Sequence, residues 1–310
     1  MNSHERLRRT LGRLGVGASL ATFALIVFGG VVRITGSGMG CGDHWPLCNG
    51  QLIPPMDLPT LIEYGHRLAA LVVSGLVGAV ALVAFVMRRG DPGSGGVTGT
   101  SSRLWVLAAS AVLLLIVQIL LGAVTVWLEL PPASVILHLG TAMLLLATLI
   151  VVASEAHGPG RQNLDDRAYR LASWTAWASL AVVLLGALTA NLDAGLACQG
   201  FPLCNGRLLP RSVGNPLVNA HWGHRLAAYV LVAWCLALPV AMRRRRPADS
   251  GLSGPARTMA ILAVLQLAVG AAMVLMNLPG ELRAAHLGLG AAVFAAAVRL
   301  TWIARYPATR

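Results

Sequence analysis

Residues 41–50 read CGDHWPLCNG and residues 198–206 read CQGFPLCNG, so one short cysteine loop is written twice in a chain of 310 residues. Each copy follows a long apolar run, and each is followed by His-Arg-Leu-Ala-Ala, at 66–70 and again at 224–228. The offsets between copies agree: 157 residues from Cys41 to Cys198, 156 from LCNGQLIP to LCNGRLLP, and 158 between the two HRLAA stretches. Further along, Gln118, Gly122 and His138 recur as Gln266, Gly270 and His286 at an offset of 148. The drop of ten falls in the connectors 88–103 and 243–257, whose arginines and glycines mark solvated backbone that tolerates changes of length. The chain reads as a duplication with halves at 1–155 and 156–310.

The composition says where such a chain lives. Hydrophobic residues make up 56%, charged residues 12%, and the mean hydropathy is +0.70. Soluble domains carry about 25% charged residues, so this is membrane material. Eight apolar stretches are long enough to cross a bilayer, near 15–33, 66–87, 104–127, 133–153, 170–190, 221–242, 257–277 and 283–304. The first follows Arg6, Arg8, Arg9 and Arg13 as a signal peptide would, but it is long for one, lacks an A-x-A site and has a counterpart in the second half. It counts as a span. Four spans per half is an even number, which predicts parallel halves. The expected fold is an all-α integral membrane protein with eight transmembrane helices in two parallel, pseudo-repeated four-helix bundles.

All 24 basic residues are arginine, and the net charge is +12. The arginines cluster between apolar runs, where they act as orientation signals, and nucleic acid is not an expected partner. They divide 18 against 6 between the two sides, with Arg161, Arg211, Arg243–Arg246 and Arg310 in the count. The richer side holds both termini, which places N and C termini in the cytoplasm and both cysteine loops on the extracytoplasmic face.

His66, His138, His224 and His286 each lie near the outer end of an even-numbered span, so four imidazoles are expected at similar depth. A lone histidine there is most simply one bonded to a neighbouring helix. Four in register, repeated with the duplication, point instead to a function, because an imidazole in hydrocarbon needs a partner. Two facing each other across a four-helix bundle form a pair of axial ligands for a haem iron. Zinc fits less well, since its sites want three or four converging ligands. Arg67 and Arg225 follow the first histidine of each half, where they either bind haem propionates or snorkel to the outer water.

Cys41 and Cys48, and Cys198 and Cys204, lie on the predicted oxidising side as two disulfides. They are either staples, each stabilising by roughly 2.5 kcal/mol on loop entropy, or redox-active pairs. The halves differ at one place: Glu63-Tyr64-Gly65-His66 faces His221-Trp222-Gly223-His224. Glu63 lies one turn before a proposed ligand and on its face, where a carboxylate can move protons or stabilise positive charge, or where it merely favours a helix N-terminus.

Together these residues resemble the heme A synthase family, in its bacterial branch with a cysteine pair in each half. The motifs that carry the resemblance are Thr35-Gly36-Ser37-Gly38, Cys41…Trp45-Pro46-Leu47-Cys48, Glu63-Tyr64-Gly65-His66-Arg67, Cys198…Pro202-Leu203-Cys204, and the histidines at 138, 224 and 286. The resemblance implies an oxidoreductase that converts haem O to haem A by two successive oxidations of a porphyrin methyl to a formyl group, for assembly of a haem-copper oxidase. It implies that His66 and His138 hold the substrate haem O, with Glu63 as the important carboxylate and Cys41–Cys48 in substrate handling. It further implies haem b as cofactor on His224 and His286, with haem O synthase upstream, an electron donor and membrane lipid as surroundings. A homo-oligomer is left open. His221 stands where a non-ionisable polar residue is the family expectation. The rival readings are a di-haem cytochrome b passing electrons from quinol to an external acceptor, and a transporter built from parallel repeats.

Overall fold

A computed structural model describes residues 3–55, 57–90, 99–158, 166–210, 214–243 and 252–305. Arg161, Arg211, Arg244–Arg246 and Arg310, and the middles of both long connectors, lie outside these residues. The described residues form eight helices: α1 (Ser3–Ile34), α2 (Leu58–Arg89), α3 (Thr100–Trp127), α4 (Pro132–His157), α5 (Asp166–Asn191), α6 (Pro216–Arg243), α7 (Ser253–Leu275) and α8 (Gly280–Arg305). Each is long and apolar enough to cross a membrane, with 23 to 32 residues against the roughly 20 that a bilayer core requires. The chain is a multi-pass, all-α membrane protein.

The residues divide into two compact units, Met1–Gly160 and Arg161–Arg310. In the first, α1 packs on α2 and α4, and α3 packs on α2 and α4, which closes a four-helix ring. The second repeats this scheme with α5 on α6 and α8, and α7 on α6 and α8. Within each unit the dry core sits away from the cysteine loop. In the first it joins Leu11, Val77, Val80, Met87, Leu104 and Leu149; in the second, Cys235, Leu238, Met242, Met259, Ala297 and Leu300. Alanines between the larger side chains let the helices approach closely, as membrane bundles require.

The second and sixth helices begin earlier than hydropathy suggests. α2 starts at Leu58 because Asp57 caps it, accepting from the Thr60 N–H at 3.1 Å and the Thr60 hydroxyl at 2.8 Å, with proline in the first turn. The α2 start LPTLIEYG mixes polar and apolar residues, so its hydropathy hides a helix that its cap reveals. Glu63 and His66 therefore lie in the second and third turns of α2, and His221 and His224 occupy the same turns of α6.

The turns closing each unit also repeat. Between α3 and α4, Glu129 and Leu130 take left-handed φ values of 59° and 63°; between α7 and α8, Asn277 and Leu278 take 58° and 62°. Each bent turn tucks a leucine against a glycine. A Cβ on Gly38 would lie 2.8 Å from Leu130 Cδ1, and one on Gly195 would lie 2.8 Å from Leu278 Cδ1.

Candidate functional site

Cys41–Cys48 and Cys198–Cys204 are disulfide-bonded and fully buried, and each closes its loop beside the start of a helix. Asn49 and Asn205 sit just after the second cysteine with φ of 51° and 53°, a conformation that asparagine tolerates better than most residues. Each then reaches back with its amide to the first part of the loop: Asn49 Nδ2 donates to Gly40 O and Asn205 Nδ2 to Ala197 O, both at 3.2 Å.

Helix α2 holds the first loop from below. Glu63 and Arg67, one turn apart on the same face, form an ion pair of 2.6 Å. The second Glu63 oxygen accepts the Cys41 N–H at 2.8 Å. Arg67 Nη1 donates to the carbonyls of His44 at 2.9 Å and Leu47 at 2.7 Å. Tyr64 fixes the far end, donating to Leu52 O at 2.7 Å. α6 repeats the clasp around the second loop. Arg225 donates to Gly200 O and Leu203 O at 2.9 Å and to Cys198 O at 2.6 Å, and its Nε–H points at His221 Nε2 at 2.9 Å. The Cys198 N–H faces His221 Nδ1 at 3.2 Å, and Trp222 donates to Leu208 O at 2.9 Å.

These contacts give several residues an occupation that their sequence positions did not disclose. Glu63 is not a helix-entry acid; it is a buried strut, 4% exposed, with both oxygens engaged. Arg67 and Arg225 do not snorkel, because their planar forks meet converging carbonyls of the loops. His221 is the positional counterpart of Glu63, facing the same two donors. Cys235 is a small, fully buried core residue.

Beneath each clasp lie the four histidines. All are half-buried, and in each the Nδ1 atom is buried without a hydrogen-bond partner. A glycine from a neighbouring helix of the same unit makes room for every ring. A Cβ on Gly29 would stand 3.2 Å from His66, on Gly122 3.1 Å from His138, on Gly186 2.9 Å from His224, and on Gly270 2.8 Å from His286. Gln118 and Gln266 touch the rings of His138 and His286 at 3.0 and 3.3 Å. Phe28 meets His66 edge-on, with centroids 5.6 Å apart, and His138 lies within electrostatic reach of His66.

The His224 and His286 rings are 6.3 Å apart, centroid to centroid, at 83°. Two imidazoles bound on opposite sides of one metal, each nitrogen about 2 Å from it, place their centroids roughly 6 Å apart. These two rings line a cleft formed mainly by α6 and α7, with Val182 of α5 and Val293 of α8 also on its wall. His221, Arg225 and Gln266 are among its polar lining residues, and Leu231, Val232 and Ala263 among its apolar ones. Among the described residues no group of three or more His, Cys, Asp or Glu converges on a common point. Paired rings with an unpartnered nitrogen each, flanked by glycine and apolar walls, fit a flat metal-bearing macrocycle.

The glycines opposite the rings were the part of the site least visible beforehand. Gly29 and Gly186 are 157 residues apart, the same offset as the cysteines, and that coincidence is the signal that could have found them.

Comparison with known proteins agrees with this architecture. Residues 12–298 match the model of the COX15-CtaA family, cytochrome oxidase assembly protein. Heme A synthase of Shouchella clausii is 34% identical over 277 residues, covering 87% of this chain and 88% of the relative. Heme A synthase of Alkalihalophilus pseudofirmus is 33% identical over 251 residues, covering 76% of each chain. That of Bacillus licheniformis is 30% identical over 296 residues, covering 90% of this chain and 91% of its own. A duplicated four-helix ring with a clasped disulfide loop above two imidazoles, matched along nearly its whole length, makes this chain a member of the heme A synthase family of cytochrome oxidase assembly proteins.

Proposed function

We propose that the protein is an oxidoreductase of haem A biosynthesis that converts haem O to haem A, oxidising one porphyrin methyl to a formyl group in two successive steps. It thereby acts on a C–H bond as a haem-dependent enzyme. The observation that carries this reading is the set of four imidazoles, two in each unit, each with an unpartnered nitrogen and a glycine opposite it. His224 and His286 hold haem b, which when bound supplies a one-electron relay tuned by axial ligation and burial. His66 and His138 hold the substrate, haem O. A greasy porphyrin shares the bilayer with the enzyme, so haem O synthase and an electron donor in the same membrane are the natural partners. The cysteine loops face the extracytoplasmic side.

The chain's own residues then have defined tasks. Glu63 keeps a negative charge one turn from His66, held in place by Arg67 and the Cys41 N–H, where it stabilises positive charge that develops as the methyl is oxidised. Arg225 holds its buried charge beside the second cleft, with its guanidinium nitrogens engaged by His221 and the loop carbonyls. The glycines at 29, 122, 186 and 270 admit the rings, and the apolar cleft walls exclude water.

The test is to extract and weigh the pigments of the purified protein supplied with haem O. A formyl-bearing haem is expected. Replacing His66 or His138 should abolish conversion and leave a low-spin haem bound, whereas replacing His224 or His286 should deplete the resident haem. Glu63→Gln should keep the haem and lose turnover. Absence of any formyl-bearing haem would turn the reading to a di-haem cytochrome, and equal pigment loss from both pairs of substitutions would refute the division of labour.

A further inference from the structure

The two clasps are alike in position and unlike in charge. In the first unit the carboxylate of Glu63 accepts from both Cys41 N–H and Arg67, and the ion pair sums to zero. In the second, His221 faces the same two donors, Cys198 N–H on Nδ1 and Arg225 Nε–H on Nε2. An imidazolium carries a proton on each nitrogen and cannot accept from either side. His221 is therefore neutral, and with one lone pair it satisfies one of the two donors. Arg225 is 8% exposed, and its remaining contacts are to carbonyl dipoles of the loop. Among the described residues it forms no ion pair with a carboxylate. The clasp of the second unit thus carries a net buried charge of about one proton where the first carries none, and in a low-dielectric setting such a charge is felt over several ångströms.

That charge lies beside the cleft. Arg225 adjoins His224 in sequence, and both line the cleft together with His221 and His286. We infer that His221 sets the reduction potential of the haem held by His224 and His286: by leaving Arg225 uncompensated it favours the ferrous, less positive iron, whereas Glu63 cancels Arg67 in the first unit. The inference rests on the haem-ligand reading proposed above and adds to it a residue that tunes a potential through charge, without touching the iron.

The experiment is a spectroscopic redox titration of the full-length protein containing haem b alone, as wild type, His221→Glu and His221→Gln. Glutamate at 221 offers both donors an acceptor, as at position 63, and brings the missing negative charge. Its midpoint should fall by at least about 59 mV, a tenfold change in the ferric-to-ferrous ratio at fixed potential for a one-electron couple. Glutamine is neutral and should leave the midpoint near wild type. An unchanged midpoint in His221→Glu, or equal shifts in both variants, overturns the inference. Should His221→Glu lose its haem, the reciprocal variant decides: Glu63→Gln, loaded with haem O, should raise the midpoint of the first site, and no rise overturns the proposal. Failure of the underlying reading is seen separately and before any titration, because His224→Ala would then keep the full haem b content, and the inference would fall with it.

Discussion

Substituting alanine for the glycines that face the four rings separates folding from ligation. An added methyl on Gly270 would stand 2.8 Å from His286 Cε1, and on Gly29 3.2 Å from His66 Cε1, whereas carbon atoms rest at about 3.5–4.0 Å. Overpacking of this kind costs roughly 1–3 kcal/mol. Against it stands a gain of about 0.8–1.0 kcal/mol from replacing glycine in a helix interior. The atom that must yield is the edge of an imidazole and not backbone, so the helices should survive and the ring should turn. The cost then falls on haem retention, and at 1.4 kcal/mol per tenfold it amounts to roughly 5- to 150-fold weaker binding. The contact distances put Gly270→Ala and Gly186→Ala, both under 3.0 Å, ahead of Gly122→Ala and Gly29→Ala, at 3.1 and 3.2 Å. Haem content per protein, read from the Soret band beside a thermal melt in detergent, measures both effects at once. Full haem retention in Gly270→Ala, or haem loss that merely follows a lowered melting temperature, would refute the reasoning.

Two further outcomes are expected. Cys41→Ser should lower stability by about 2.5 kcal/mol on loop entropy and leave the Arg67 contacts able to hold the loop, which denaturant unfolding in detergent will show; a loss no different from that of a surface serine would contradict the staple. Asp57 caps α2 through hydrogen bonds from Thr60, which hold its carboxyl below the usual range. Its folded value is depressed, so the stability it adds is present above the unfolded carboxylate range and is lost as pH falls through the lowered value. The melting-temperature gap between wild type and Asp57→Ala should therefore close in acid, and a gap that persists there would show that charge plays no part.

The all-helical fold and the pairing of cysteines were legible because both rest on strong local signals: unbroken apolar runs, and two cysteines six or seven residues apart in a turn-rich stretch. The four histidines were legible because duplication doubled a pattern that a single copy leaves ambiguous. What hydropathy obscured was the polar opening of α2 and α6, where a capped helix is written in mixed residues. The tasks of Arg67 and Arg225 were hidden for a different reason. An arginine after a histidine at a helix end is equally consistent with lipid headgroups, a porphyrin carboxylate or a nearby loop, and the choice depends on carbonyls that some twenty intervening residues bring into range. The task of the glycines opposite the rings was hidden for the same reason, since each works on a histidine borne by another helix.

Arg67 and Arg225 each fasten a disulfide-closed loop to the very helix that bears the adjacent histidine. Several hydrogen bonds from one planar group cannot be given up one at a time without reorienting the rest. Mechanically, then, the stretch from cysteine to imidazole is a single stiff piece. Strain applied at Pro46 or Pro202 is delivered to the ring below without passing through slack chain, and a residue that never meets the porphyrin can still alter how tightly it is gripped.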